Sequence, residues 1–170
     1  MRRQLLLVLL LLVIGGCASG ARKPEAGDTW QLAAEDLSGT FGAITVERGA
    51  IIPLPPGTDA DIFVPGATRG ILVHISYEPQ RPSDVGYGSL DWESRGTSPG
   101  EPRIMGLVRG VDWGVDGTLP TQLPGSANSI GGWMVIPVTE ADLGQPITLL
   151  YQPIIVDEPA PVAEIVVHAP

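Results

Sequence analysis

The chain is poor in the residues that most often declare a function. One cysteine, Cys17, in 170 residues leaves no intrachain disulfide to form, so the fold must hold without a covalent staple. There are two histidines, His74 and His168, each inside or at the end of a strand-like run. A serine hydrolase needs a nucleophile, a base and an orienting group, and neither histidine stands by a Gly-x-Ser-x-Gly turn. The nearest imitation, Gly86-Tyr87-Gly88-Ser89, has the wrong spacing. Zinc is disfavoured by the same scarcity, because its ligands would have to come largely from carboxylates. Lys and Arg stop at Arg109, while Asp112, Asp116, Glu140, Asp142, Asp157, Glu158 and Glu164 follow. Such an acidic balance disfavours nucleic acid and anionic surfaces as partners. The apolar run at 5–14 would span about 15 Å as a helix against a hydrocarbon core of roughly 30 Å, too short for a conventional membrane span.

What is present begins at that run. Arg2 and Arg3 precede it and Gly15, Gly16 and Cys17 follow, which is the layout of a secretory signal: a positive start, a short apolar stretch and small residues at a cleavage site. The tetrapeptide Ile14-Gly15-Gly16-Cys17 resembles the lipobox of bacterial lipoproteins, with a branched aliphatic residue three positions before the cysteine, although Gly15 is unusual at its position. The resemblance implies cleavage just before Cys17, a diacylglyceryl group on its sulfur and an acylated amino group, leaving no thiol for redox or nucleophilic chemistry. Several acyl chains hold a protein on a membrane essentially permanently, where one gives only marginal affinity. Ala18 in place of an aspartate implies the outer rather than the inner membrane.

Loss of residues 1–16 as a signal peptide would leave 154 residues, one domain of ordinary size, with 8 basic and 19 acidic side chains and a net charge of −11. Residues 17–38 are mostly small and polar, and are expected to form the lipidated cysteine and a flexible tether. The domain proper is expected over 39–170. Its 22 glycines and 17 prolines, counted over the whole chain, make up about 23% against a usual ~12%, which argues for short strands joined by turns. Strands are predicted at 41–48, 61–64, 70–78, 133–138, 146–151 and 162–168, with weaker ones at 86–92 and 103–109. In the clearest, GILVHISYE at 70–78, Ile71, Val73, Ile75 and Tyr77 share one face and should look into the core. A single helical turn is predicted at 139–142, where Thr139 and Asp142 have capping-box spacing and Gly144 and Pro146 end it. About eight strands at spacings near ten residues, without a long helix, indicate an antiparallel sandwich or barrel.

The segment LPGSANSIGGWMVIPVTEADLGQPITLLYQP, 123–153, is similar to the end of a family of bacterial immunoglobulin-like domains of unknown function found in secreted antigens and lipoproteins. Pro124-Gly125, Gly132-Trp133 and Leu150-Tyr151 fill the places of its closing pattern, and 71–77 looks like its central strand, with Glu78 where the family usually has Asn. The resemblance implies an all-β fold, an antiparallel immunoglobulin-like β-sandwich of about seven to nine strands. Trp133, flanked by apolar residues in a strand, is expected in the core.

Three further sets of residues have the chemistry for a site. Thr58-Asp59-Ala60-Asp61 and Asp112 to Gly117 are oxygen-rich turns of the sort calcium uses, but neither follows the twelve-residue EF-hand pattern. Asp91 and Glu93 flank Trp92 and, in a strand, would share a face about 6 to 7 Å apart, within the range of glycosidase carboxylates. The plainer expectation for them is a solvent-facing acidic edge that discourages aggregation. No catalytic residue set, metal site or cofactor motif emerges. The sequence therefore leads to a non-enzymatic, lipid-anchored module of the bacterial envelope, bound to the membrane through Cys17 and to an envelope protein partner, and not to nucleic acid. An accessory lipoprotein of a secretion or transport complex and a periplasmic binder of metal or small ligands are the alternatives.

Overall fold

The computed structural model describes residues 26–34, 39–56, 58–60, 64–80, 88–96, 104–107, 111–120, 129–152 and 163–168. These carry eight strands: β1 (Thr29–Ala34), β2 (Gly39–Pro53), β3 (Arg69–Pro79), β4 (Trp92–Arg95), β5 (Met105–Gly106), β6 (Ile130–Val138), β7 (Pro146–Tyr151) and β8 (Ala163–His168). They form a five-stranded sheet in the order β1-β2-β3-β6-β5 and a three-stranded sheet in the order β4-β7-β8, and every strand pairing is antiparallel. The chain crosses between sheets after β3, β4 and β6, so neither sheet is a simple meander.

Alternation along the strands explains why the sheets pair. On β3 the odd positions Ile71, Val73, Ile75 and Tyr77 are buried in one cluster with Ile44 and Val46 of β2 and Met134, Ile136 and Val138 of β6. Facing them in the same cluster are Trp92 of β4, Ile147, Leu149 and Tyr151 of β7, and Ile165 and Val167 of β8. Each such side chain removed from water contributes on the order of 1.5–3 kcal/mol, which is what presses the two sheets together. The core face expected for 70–78 is the one observed.

Four sequence expectations change. Residues 29–34, assigned to the tether, form β1, with Thr29 opposite Thr45 and Ala34 opposite Gly39. Trp30 and Leu32 supply the two-residue alternation of a strand, and the uncharged run TWQLAA carries nothing that blocks edge pairing. The weak strand at 86–92 is a 3-10 turn over Ser89–Asp91, and the strand starts only at Trp92. The weak strand at 103–109 reduces to Met105–Gly106 among the described residues. Trp133 is not in the core between the sheets: it stands on the outer face of β6, half-buried. The predicted strand at 61–64 lies outside the described residues except for Val64, which is not in a strand.

The turn at 139–142 forms as the spacing requires. The Thr139 amide and hydroxyl both donate to Asp142 Oδ2 at 2.9 Å, the Asp142 amide donates back to the Thr139 carbonyl, and Asp142 is fully buried. This compact corner carries the chain from one sheet to the other, and Gly144 at φ 76° completes it in a left-handed conformation that suits glycine.

Candidate functional site

The outer face of the five-stranded sheet is not left to solvent throughout. Leu72 of β3 and Val135 of β6 point away from the core between the sheets and are buried with Ala60 and Trp113, ringed by the partly buried Ile52, Leu54, Ala67, Leu107, Val111, Val115 and Trp133. A loop therefore folds back over the sheet. Its course is fixed at β6, where the Trp133 amide donates to the Gly117 carbonyl and the Leu119 amide to the Trp133 carbonyl, both at 3.0 Å. Gly132 makes room for this crossing, since a Cβ there would stand 2.3 Å from the Leu119 nitrogen. Gly49 gives similar room to the Trp133 ring, whose Cζ3 would lie 2.6 Å from a Cβ at that position. Asp112 holds the loop's start by accepting the Gly114 amide at 2.9 Å. Beside it, Ile52 to Pro56 with Asp112, Trp113 and Gly114 line an open cleft of about 360 Å³.

A second opening lies between the sheets on the side where β2 passes β8. Here the residues ahead of β1 cross from one sheet to the other: the Ala26 amide donates to the Val166 carbonyl of β8 at 2.9 Å, and the Gly27 amide to the Val46 carbonyl of β2 at 2.7 Å. One extra residue between Arg48 and Ile51 bulges β2, because Arg48 lies opposite Val73 and Ile51 opposite Ile71. Arg48 thus occupies a core-facing register yet is exposed at this mouth, and its guanidinium donates to the His168 carbonyl at 2.7 Å. Ala26, Gly27, Glu47, Arg48 and His168 line a cleft of about 500 Å³.

The residues singled out by sequence do not converge. Cys17 lies outside the described residues, as do Gly86 and Tyr87. His74 is half-buried on the outer face of β3, edge-on to Trp133 with ring centroids 5.1 Å apart, and its Nδ1 is 3.4 Å from Ser76 Oγ. His168 is on the other sheet, at the exposed end of β8. The carboxylates around Trp92 are split: Asp91 closes the 3-10 turn and is buried, its carbonyl accepting the Gln152 amide at 2.7 Å, while Glu93 is half-buried on β4 opposite Leu150. The shared strand face that glycosidase geometry assumed is therefore replaced by a turn, and Asp91 is not part of a solvent-facing edge. Asp59 sits in a turn and Ala60 is helical, its carbonyl accepting the Val64 amide at 2.7 Å, Asp61 lies outside the described residues, and Asp112 is engaged by its own loop. Among the described residues no three His, Cys, Asp or Glu side chains group so as to hold a metal.

Sequence reasoning missed Arg48 and Ala26, and read 112–117 as a calcium-type turn rather than as the loop that brings Trp113 over the sheet. The bulge that exposes Arg48 had one visible trace, the Gly49-Ala50 pair inside an otherwise regular strand. The doubled glycine before Trp133 was likewise a signal of close backbone approach.

No family model and no curated protein matches the chain. Among solved structures it is similar to that of a candidate lipoprotein (ycdA) from Bacillus subtilis, at 9% sequence identity and a TM-score of 0.59, over 86% of this chain and 39% of that one. The chain therefore spans about two-fifths of the structure it matches, and at this identity the likeness is one of fold. Of the residues that resemble the immunoglobulin-like family, Gly132-Trp133 lie in β6 and Leu150-Tyr151 end β7, while Pro124-Gly125 lie outside the described residues.

Proposed function

We propose that the chain is a lipid-anchored, non-enzymatic module of the bacterial envelope, an immunoglobulin-like β-sandwich that presents the outer edge of β1, unpaired among the described residues, to another envelope protein. Attachment rests on the lipobox-like Ile14-Gly15-Gly16-Cys17 and its signal-peptide context, with Ala18 favouring the outer membrane. The fold shared with a candidate lipoprotein of Bacillus subtilis accords with it. The two antiparallel sheets around one core support the immunoglobulin-like description.

The observation that carries the interaction is a difference among sheet edges. β4 is four residues long and bears Glu93 and Arg95; β5 has two residues; β8 bears Glu164 and is bridged by Ala26 and Arg48. β1 is a six-residue edge with no charge and no proline. Edges are ordinarily blunted by charge, proline or shortness, and one left open is a template for strand addition. A photo-crosslinking residue at Gln31, expressed in the native host, should trap one reproducible envelope protein, and the same probe at Glu164 should not. Equal capture at both positions, or none at Gln31, overturns the edge as the interface; a monomer purified with bound metal would favour the ligand-binding alternative.

A further inference from the structure

We infer that the side of the sandwich holding Ala26, Arg48 and His168 rests on the lipid surface, with the Arg48 guanidinium taking a headgroup phosphate. The inference depends on the anchored reading above and deepens it. Its starting point is a length. Had the tether run to residue 38, the domain could have stood far from its anchor in any orientation. Among the described residues the first to make a hydrogen bond is instead Ala26, nine residues beyond Cys17. Nine residues reach at most about 30 Å. Ala26 is fixed to both sheets through its own amide and that of Gly27, so the tether's short reach is transmitted to a defined side of the sandwich.

The chemistry of that side fits a phosphate. Arg48 spends one guanidinium nitrogen on the His168 carbonyl, at an exposed position on the lip of the cleft. A guanidinium has five N–H donors in a planar fork, which suits phosphate oxygens. Glu47 shares the cleft and the mature chain is strongly acidic, so the contact is a local one to the phosphate of a zwitterionic headgroup rather than adsorption to an anionic surface.

Full-length acylated protein in phosphatidylcholine vesicles tests this. A fluorophore on Pro146→Cys, opposite His168 in the β7–β8 pairing, is compared with one on Glu78→Cys, five residues along β2 from Arg48 by register and so about 17 Å away. Spin-labelled lipid should quench the first several-fold more than the second. Arg48→Gln should lower the quenching at position 146 by about two- to fivefold, the worth of one exposed ion pair, and Arg48→Lys should restore part of it. Equal quenching at the two positions overturns the orientation. Unequal quenching that ignores Arg48→Gln overturns the phosphate contact and leaves Arg48 as an edge guard. The intact mass of the mature chain separates the premises: without acyl mass on Cys17 the anchored reading falls and this inference with it, whereas an acylated chain with equal quenching removes only the docking.

Discussion

The two faces of β3 bury apolar residues by different means. Its odd positions meet the opposite sheet, strand against strand, and all four are essentially inaccessible. Of its even positions, Leu72 alone joins a buried cluster, beneath a loop that brings Trp113, while His74 and Ser76 are partly open. The first core is made by periodicity and repeats along β2, β6, β7 and β8; the second is built by connecting segments, with 111–119 folding back and fastened at β6 and Ala60 packing beside it. A face supported by regular strands should be uniformly costly to damage, and a face covered by a loop should fail locally.

Truncation in the two regions is the strongest way to break that contrast. Ile136→Ala, in the core between the sheets, should cost about 4 kcal/mol, because the rigid surroundings on both sides cannot close the cavity. Leu72→Ala, on the loop-covered side, should cost nearer to about 2 kcal/mol, since a loop can settle into the space. Urea unfolding followed by tryptophan fluorescence measures both. Equal costs would mean that the outer cluster is as rigid a core as the inner one.

Gly132 sharpens the comparison because it lies where the two regions meet. It is buried on the core-facing register of β6, and the atoms a Cβ would strike are the backbone of Thr118 and Leu119. Backbone cannot rotate aside as a side chain can. Gly132→Ala should therefore cost about 3 kcal/mol, and part of that loss should be seen as faster hydrogen exchange at the Leu119 and Trp133 amides, which fasten the loop. Loss of global stability with those two amides still protected would show that the crossing does not depend on the missing side chain.

The contrast also explains how much of the molecule was legible in its sequence. Ile71, Val73, Ile75 and Tyr77 take every second position of β3 and only Leu72 is apolar between them, so the core face of that strand follows from a period of two, whereas Trp133 to Val138 of β6 is apolar at every position and shows no such period. The corner at Thr139 was legible for another reason: its hydrogen bonds are local, three residues apart, and depend on residue types rather than on the rest of the fold. Trp133 was misplaced because apolar neighbours say that a strand is buried without saying which face meets which partner, and its side looks onto a loop that shows no periodicity. Asp91 was misread since the strand it was assumed to occupy begins one residue later. The Arg48 mouth needed a bulge, a β8 carbonyl distant in sequence and an N-terminal segment, none of which a local pattern contains.

The smallest effect is expected at Asp112, which sequence alone offered as a calcium ligand. In the structure its carboxylate accepts the amide of Gly114, a residue at φ 70°, and so shapes the entry to the loop that delivers Trp113. The bond is exposed, and an Asx turn of this kind is a side-chain substitute for a backbone turn. Asp112→Ala should accordingly cost about 0.5–1 kcal/mol, the net worth of one hydrogen bond, while Asp112→Asn keeps an acceptor in place and should cost almost nothing. Calcium discriminates between the two roles without reference to stability alone. If Asp112 serves the turn, added calcium leaves the melting temperatures of the wild-type chain and of Asp112→Asn equally unmoved; if it is a ligand, calcium raises the first and not the second, because the amide removes the charge that a hard cation requires. Equal behaviour would place the acidic loop with the second region's architecture, as the fastening of a cover over Leu72 and Val135.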